Sequence, residues 1–116
     1  MADSIHIQSI QASVRIGVPE EERAQWQTVE IDITLTPKND FHDLDDDIER
    51  TIDYAHVSLE LRDLAAKHPR KLIETLAGDL AAHVIAEFPV RKVALTIRKF
   101  ILPGTQWVAV SITRKA

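Results

Sequence analysis

The sequence predicts an α+β fold in which two strands, two helices and two further strands follow in order, the strands forming one antiparallel sheet with both helices on one of its faces. Three observations carry this. Apolar and polar residues alternate with period two in two N-terminal and two C-terminal segments. Between them the apolar period changes to that of a helix. Strands grouped before and after the helices, instead of alternating with them, favour an antiparallel sheet over a parallel one.

The first alternating segment runs from Ile5 to Val18 through Ile7, Ile10, Ala12, Val14 and Ile16, and its phase slips once near Gln8-Ser9, the mark of a β-bulge. Gly17 and Pro19 punctuate the chain. From Gln27 to Thr36, Val29, Ile31, Ile33 and Leu35 share one face and Glu30, Asp32 and Thr34 the other, which predicts a long half-buried strand antiparallel to the first. A polar connection over residues 37–50 leads to Asp53, an N-cap for a helix whose apolar side carries Tyr54, Val57, Leu61, Leu64 and Ala65 and which ends near His68-Pro69. A second helix is predicted from Pro69, a residue that a first helical turn accepts. Leu72, Ile73, Leu76, Ala77, Leu80, Ala81, Val84, Ile85 and Phe88 form its broad apolar stripe, and Pro89 ends it. Val93, Leu95 and Ile97 define a third strand, and residues 106–114 a fourth. No repeat, linker or low-complexity stretch interrupts the pattern, so residues 1–116 read as a single domain.

Composition removes several classes of function. A chain of 116 residues can bury one core, so one site is sought. The net charge is -4 and the basic residues are scattered, which gives no footprint for a nucleic-acid backbone. Cysteine is absent, removing disulfides, thiolate zinc sites and cysteine nucleophiles and fitting a reducing cytoplasm. The N-terminus has no basic and apolar signal regions, and no run approaches the roughly 20 apolar residues that span a bilayer, so neither export by that route nor membrane insertion is expected. The acidic run from Asp43 to Glu49 has Ile48 where a calcium loop needs glycine, and it reads as a solvated loop. Five histidines show no HxH or HExxH spacing, so no metal is expected. Neither a G-x-S-x-G elbow nor a glycine-rich phosphate loop is present.

Six residues at four places in the chain remain as candidates for chemistry. Continuing the phase of Val93, Leu95 and Ile97 brings Lys99 onto the buried face at the end of its strand, either to snorkel into water or to serve as a partly desolvated amine for proton transfer. Glu74 lies roughly 90° from the centre of its helix's apolar stripe. Such a border glutamate is either a solvated flank residue near a favourable dipole end or a carboxylate facing a cleft, where it can accept two parallel hydrogen bonds from a planar pair of N–H donors such as an amino-pyrimidinone edge. Glu20, Glu21 and Glu22 follow the turn at Ile16-Gly17-Val18-Pro19, close enough for one of them to reach a pocket at the sheet's end. Tyr54 reads as a core residue of the first helix with its hydroxyl at an edge.

Taken in order, Ile16-Gly17-Val18-Pro19-Glu20-Glu21-Glu22 with Gln27, then Asp53-Tyr54-Ala55-His56-Val57, then Arg70-Lys71-Leu72-Ile73-Glu74-Thr75-Leu76-Ala77, and finally Lys99 resemble the dihydroneopterin aldolase family. The resemblance spans nearly the whole chain. It implies a tunnelling fold, in which ββααββ subunits assemble into a barrel as tetrameric rings and usually octamers, with sites between subunits. It implies that Glu74 binds the 2-amino and N3 positions of a pterin, with backbone groups around Leu72 and Ile73 assisting, and that Tyr54 and the adjoining Asp53 complete the pocket from a neighbouring subunit. Lys99, Glu22 and Tyr54 would carry the proton transfers of a retro-aldol cleavage of 7,8-dihydroneopterin, a step of folate biosynthesis that needs no metal, Schiff base or other cofactor. Two features depart from this pattern or widen it. The segment Phe100-Ile101-Leu102-Pro103-Gly104 replaces a longer connection that has proline directly after the lysine. The Ile16-Gly17 turn and glutamate triplet are equally similar to the related dihydroneopterin triphosphate 2′-epimerase, so epimerisation and pterin binding without turnover stand beside aldol cleavage.

Overall fold

Each alternating segment becomes a strand of one sheet in the computed structural model, which describes residues 2–116. The elements are β1 (Ile5–Val14), a single helical turn α1 (Glu20–Arg23), β2 (Gln27–Pro37), α2 (Tyr54–Ala66), α3 (Ile73–Glu87), β3 (Val90–Lys99) and β4 (Val108–Lys115). The strands lie in the order β1-β2-β3-β4 and every neighbouring pair is antiparallel.

The register shows why the period-two pattern works. Ile10, Ile31, Ile97 and Val110 form one row across all four strands, and Ile7, Ile33, Leu95 and Ile112 form the next. The apolar residues thereby share one face, against which α2 packs on β1 and α3 on β3 and β4. Burial of β2 is complete at Val29, Ile31, Ile33 and Leu35. The opposite face is polar, and there Arg98 donates to Glu30 and Asp32 on the adjoining strand. The bulge falls where the phase slipped. The pairing shifts between Ile7 and Ile10, and Ser9 takes a φ of 57° while its N–H donates to Asp32 at 2.7 Å. One extra residue keeps Ile7 and Ile10, three apart in sequence, on the same face.

The structure differs from the sequence reading at three junctions. β1 ends at Val14, and Ile16 makes only an isolated parallel bridge to Arg70. The second helix begins at Ile73, leaving Pro69 outside it. Arg70 lies in the non-helical stretch before it, with its side chain buried. Its Nε donates to Asp79 at 2.8 Å and its other nitrogens to the carbonyls of Leu64, Ala65 and His68. It thus donates to carbonyls at and just beyond the C-terminal end of α2. Tyr54 is 60% exposed, not in the core. Helical side chains lean toward the N-terminus, so at the first position the ring projects past the helix end instead of onto the sheet.

Candidate active site

Two backbone hydrogen bonds set the geometry. Gly17 N–H donates to the carbonyl of Arg70 and Arg70 N–H to that of Arg15, both at 3.1 Å, which fastens the residues before α3 to the residues after β1. The first turn of α3 is thereby held beside the turn that leads into α1. Arg23 braces that turn by donating to the carbonyls of Gly17 and Val18. Three acidic residues in α1 are favourable at the N-terminal end of a helical turn, and the third of them points back over Gly17. Gly17 adopts a φ of 153°, and a Cβ at this position would overlap the Glu22 carboxyl group. Glycine is what lets Glu22 lie where it does.

Glu22 meets Lys99 there. Lys99 is the last residue of β3, on the face of Val93, Leu95 and Ile97, and its Nζ is 2.7 Å from Glu22 Oε2. The side chains are only 13% and 17% exposed, so Lys99 is a shielded, paired amine rather than one that snorkels into water. Gln27, at the start of β2, donates from Nε2 to Glu22 Oε2 at 3.1 Å and to the carbonyl of Ile16 at 2.8 Å. Burial alone would raise the Glu22 pKa, but the hydrogen bonds from Lys99 and Gln27 and the lysine's charge together outweigh it and lower the pKa below the usual carboxylate value. Glu22 therefore stands as a carboxylate.

The pair opens into a cleft of about 310 Å³. Val18, Pro19 and Glu22 come from the α1 turn, Lys71, Leu72, Ile73 and Glu74 from the start of α3, and Lys99, Val108 and Val110 from the sheet. Glu74 sits in the first turn of α3, exposed, with no ion-pair or side-chain hydrogen-bond partner among the described residues. A hollow of about 440 Å³ beside Lys38 and Arg50 is larger but is built from polar loop residues with no shielded ion pair. Convergence of chemistry, not volume, selects the smaller cleft.

Of the residues singled out from the sequence, Glu22, Leu72, Ile73, Glu74 and Lys99 line this one cleft. Tyr54 and Asp53 do not; they lie at the N-terminus of α2, where Asp53 Oδ1 accepts from the N–H of His56 at 3.3 Å as the cap. The sequence did not single out Val18, Pro19, Lys71, Val108 or Val110 as lining residues. Val108 is directly opposite Lys99 in the β3–β4 register, so the alternation of the fourth strand held the signal. Chemically, the cleft offers a shielded carboxylate–ammonium pair, a carboxylate free to accept hydrogen bonds and an apolar wall, a combination suited to a flat heterocycle with N–H donors and a hydroxylated substituent.

The dihydroneopterin aldolase family model matches residues 5–113. A Bacillus subtilis (strain 168) dihydroneopterin aldolase is 32% identical over 117 residues, covering 97% of this chain and 98% of the relative. Among solved structures, one assigned as a dihydroneopterin aldolase from Vibrio cholerae superposes with a TM-score of 0.94 at 24% identity, covering 100% of this chain and 99% of that one. The E. coli dihydroneopterin aldolase in complex with neopterin gives 0.90 at 23% identity, covering 97% and 98%. The two structures speak for the tunnelling fold. The family model and the Bacillus relative go further and favour aldol cleavage over epimerisation: the chain belongs to the dihydroneopterin aldolase family.

Proposed function

We propose that this chain cleaves the C1′–C2′ bond of 7,8-dihydroneopterin to give 6-hydroxymethyl-7,8-dihydropterin and glycolaldehyde, with Glu74 holding the pterin and the Lys99–Glu22 pair moving protons at its side chain. The observation that carries this reading is the meeting of Glu22, Glu74 and Lys99 in one cleft from three separate parts of the sequence. Glu74 accepts from the 2-amino and N3 hydrogens, with backbone groups of Leu72 and Ile73 beside it. Lys99, once its ammonium group has passed a proton to solvent by way of the Glu22 carboxylate, takes the proton of the 2′-hydroxyl through water. The C2′–O bond becomes a carbonyl, the C1′–C2′ electrons form C6=C1′, the C6=N5 π electrons move onto N5, and N5 takes a proton from water. Tyr54 then donates to C1′ of this enol-like intermediate while N5 gives up its proton, restoring the C6=N5 imine.

That imine is the electron sink, so the reaction itself requires neither a metal nor a Schiff base. Position and proton traffic are what the protein contributes. Tyr54 and Asp53 lie outside the cleft of their own chain and would reach the cleft of a neighbouring copy in a tetrameric ring or octamer. The free edges of β1 and β4 support such an assembly, because ring closure pairs edges that otherwise stay open.

The test follows glycolaldehyde release from 7,8-dihydroneopterin. Wild type should release it stoichiometrically with the hydroxymethyl product, and Lys99→Ala should lower kcat by about 100-fold or more, the scale of general acid–base catalysis. Unchanged turnover in Lys99→Ala refutes the assigned base, and formation of a 2′-epimer alone replaces cleavage with epimerisation.

A further inference from the structure

Lys99 stands at the very end of β3. The pairing of β3 with β2 stops one residue earlier, at Arg98 opposite Glu30, and on the other side Lys99 meets only Val108, the first residue of β4. Its amine is nevertheless held 2.7 Å from Glu22. What fixes this strand end lies behind the cleft, on the polar face of the sheet. Arg98 turns its side chain to that face, where it is only 16% exposed.

Arg98 links the end of β3 to all three other strands. Its Nε and Nη2 donate to Glu30 Oε1 on β2 at 3.3 and 3.1 Å. Its two terminal nitrogens donate to the two carboxylate oxygens of Asp32, further along β2. Asp32 also accepts the N–H of Ser9 in the β1 bulge, and Arg98 Nη2 reaches the Ser9 hydroxyl at 3.4 Å. Toward β4, the guanidinium lies 5.8 Å from the ring of Trp107, the residue before Val108. The clamp therefore sits one residue away from both Lys99 and its cross-strand partner in the cleft wall. A planar fork shared between two carboxylates and a ring has a fixed orientation that a flexible point charge does not reproduce.

We infer that Arg98 is a positioning residue for the proton transfers: by tying the end of β3 to β1, β2 and β4 it sets where the Lys99 amine stands relative to Glu22 and the substrate. The inference rests on the aldolase reading of the cleft. Glu74 is placed independently, on α3 behind the hydrogen bonds that join Arg70 to Arg15 and Gly17, so loosening Arg98 should disturb proton transfer and leave pterin binding intact.

The test compares wild type, Arg98→Met, Arg98→Lys and Trp107→Leu by kcat for glycolaldehyde release and by affinity and stoichiometry for neopterin. Arg98→Met should lower kcat by about 10- to 100-fold, the scale of a misplacement of about 1 Å, with neopterin affinity and stoichiometry unchanged. Arg98→Lys should recover only part of the loss, and Trp107→Leu, which leaves the ion pairs in place, should show a smaller loss of kcat alone. In a Lys99→Ala background, Arg98→Met should slow the residual turnover no further, because the group it positions is gone. Wild-type kcat in Arg98→Met overturns the inference, as does wild-type kcat in Trp107→Leu should Arg98→Met fail to fold. Loss of neopterin sites in step with kcat, or an equal further loss in the Lys99→Ala background, marks a purely structural role and overturns it too. No glycolaldehyde release by wild type overturns the aldolase reading itself, a result distinct from an unaltered Arg98→Met enzyme.

Discussion

Glu22 is the residue on which the proton chemistry turns, and three neighbours decide its state. Lys99 and Gln27 bind its carboxylate, and Gly17 leaves the space in which it lies. Because its folded pKa is lowered, the stabilisation from these contacts is fully present above the ordinary glutamate value and is lost as pH falls through the folded one. Gly17→Ala probes the arrangement without touching either ionisable group. The added methyl must displace the Glu22 side chain, and the backbone there is one that alanine rarely adopts. We expect kcat to fall at least tenfold with little change in pterin affinity, and acid unfolding to lose part of its dependence on Glu22. Steady-state kinetics beside an acid titration would show this, and a Gly17→Ala enzyme with wild-type kcat would mean that the position of Glu22 is immaterial.

At the scale of elements, the segment between α2 and α3 does more to build the cleft than either helix. Arg70 joins the end of α2, the middle of α3 and the strand exit at Arg15 to Gly17. Replacing it with methionine leaves several carbonyls unpaired and should cost about 3 kcal/mol, a fall in Tm on the order of 10 °C for a chain of this size. Calorimetry of Arg70→Met checks this, and a Tm within a degree of wild type would show that the contacts are incidental. The sequence made the strands and both helices legible because their apolar periods are set by a single buried face. It concealed the role of Arg70, since a buried arginine is unusual and its partners are backbone carbonyls, which carry no residue signature. Lys99 was legible through strand phase alone. Glu74 was not, because a border glutamate has the same pattern whether it is solvated or faces a cleft, and only the surrounding motif and the fold separate the two. Tyr54 misled for a local reason: helical phase says nothing about a side chain that leans beyond the first turn.

For the whole molecule, the sheet is covered on one face and open at both edges, and β4 is largely exposed along its length. Tyr54, Trp26, Trp107 and the Phe100-Ile101-Leu102 segment are further large apolar side chains that stand exposed. A lone chain leaves these edges and side chains in water, whereas the proposed ring would pair the edges and bring Tyr54 to the cleft of the next copy. Among the described residues no helix is long and apolar enough to cross a membrane. In the proposed mechanism one cleft binds a pterin through Glu74 and works on it through Lys99. Its most direct test is titration of the assembled protein with neopterin, read by the ligand's fluorescence, for wild type, Glu74→Ala and Lys99→Ala. Binding to wild type should be saturable, Glu74→Ala should lose about 100-fold where the paired hydrogen bonds disappear, and Lys99→Ala should keep near wild-type affinity. Equal affinity in wild type and Glu74→Ala would contradict it.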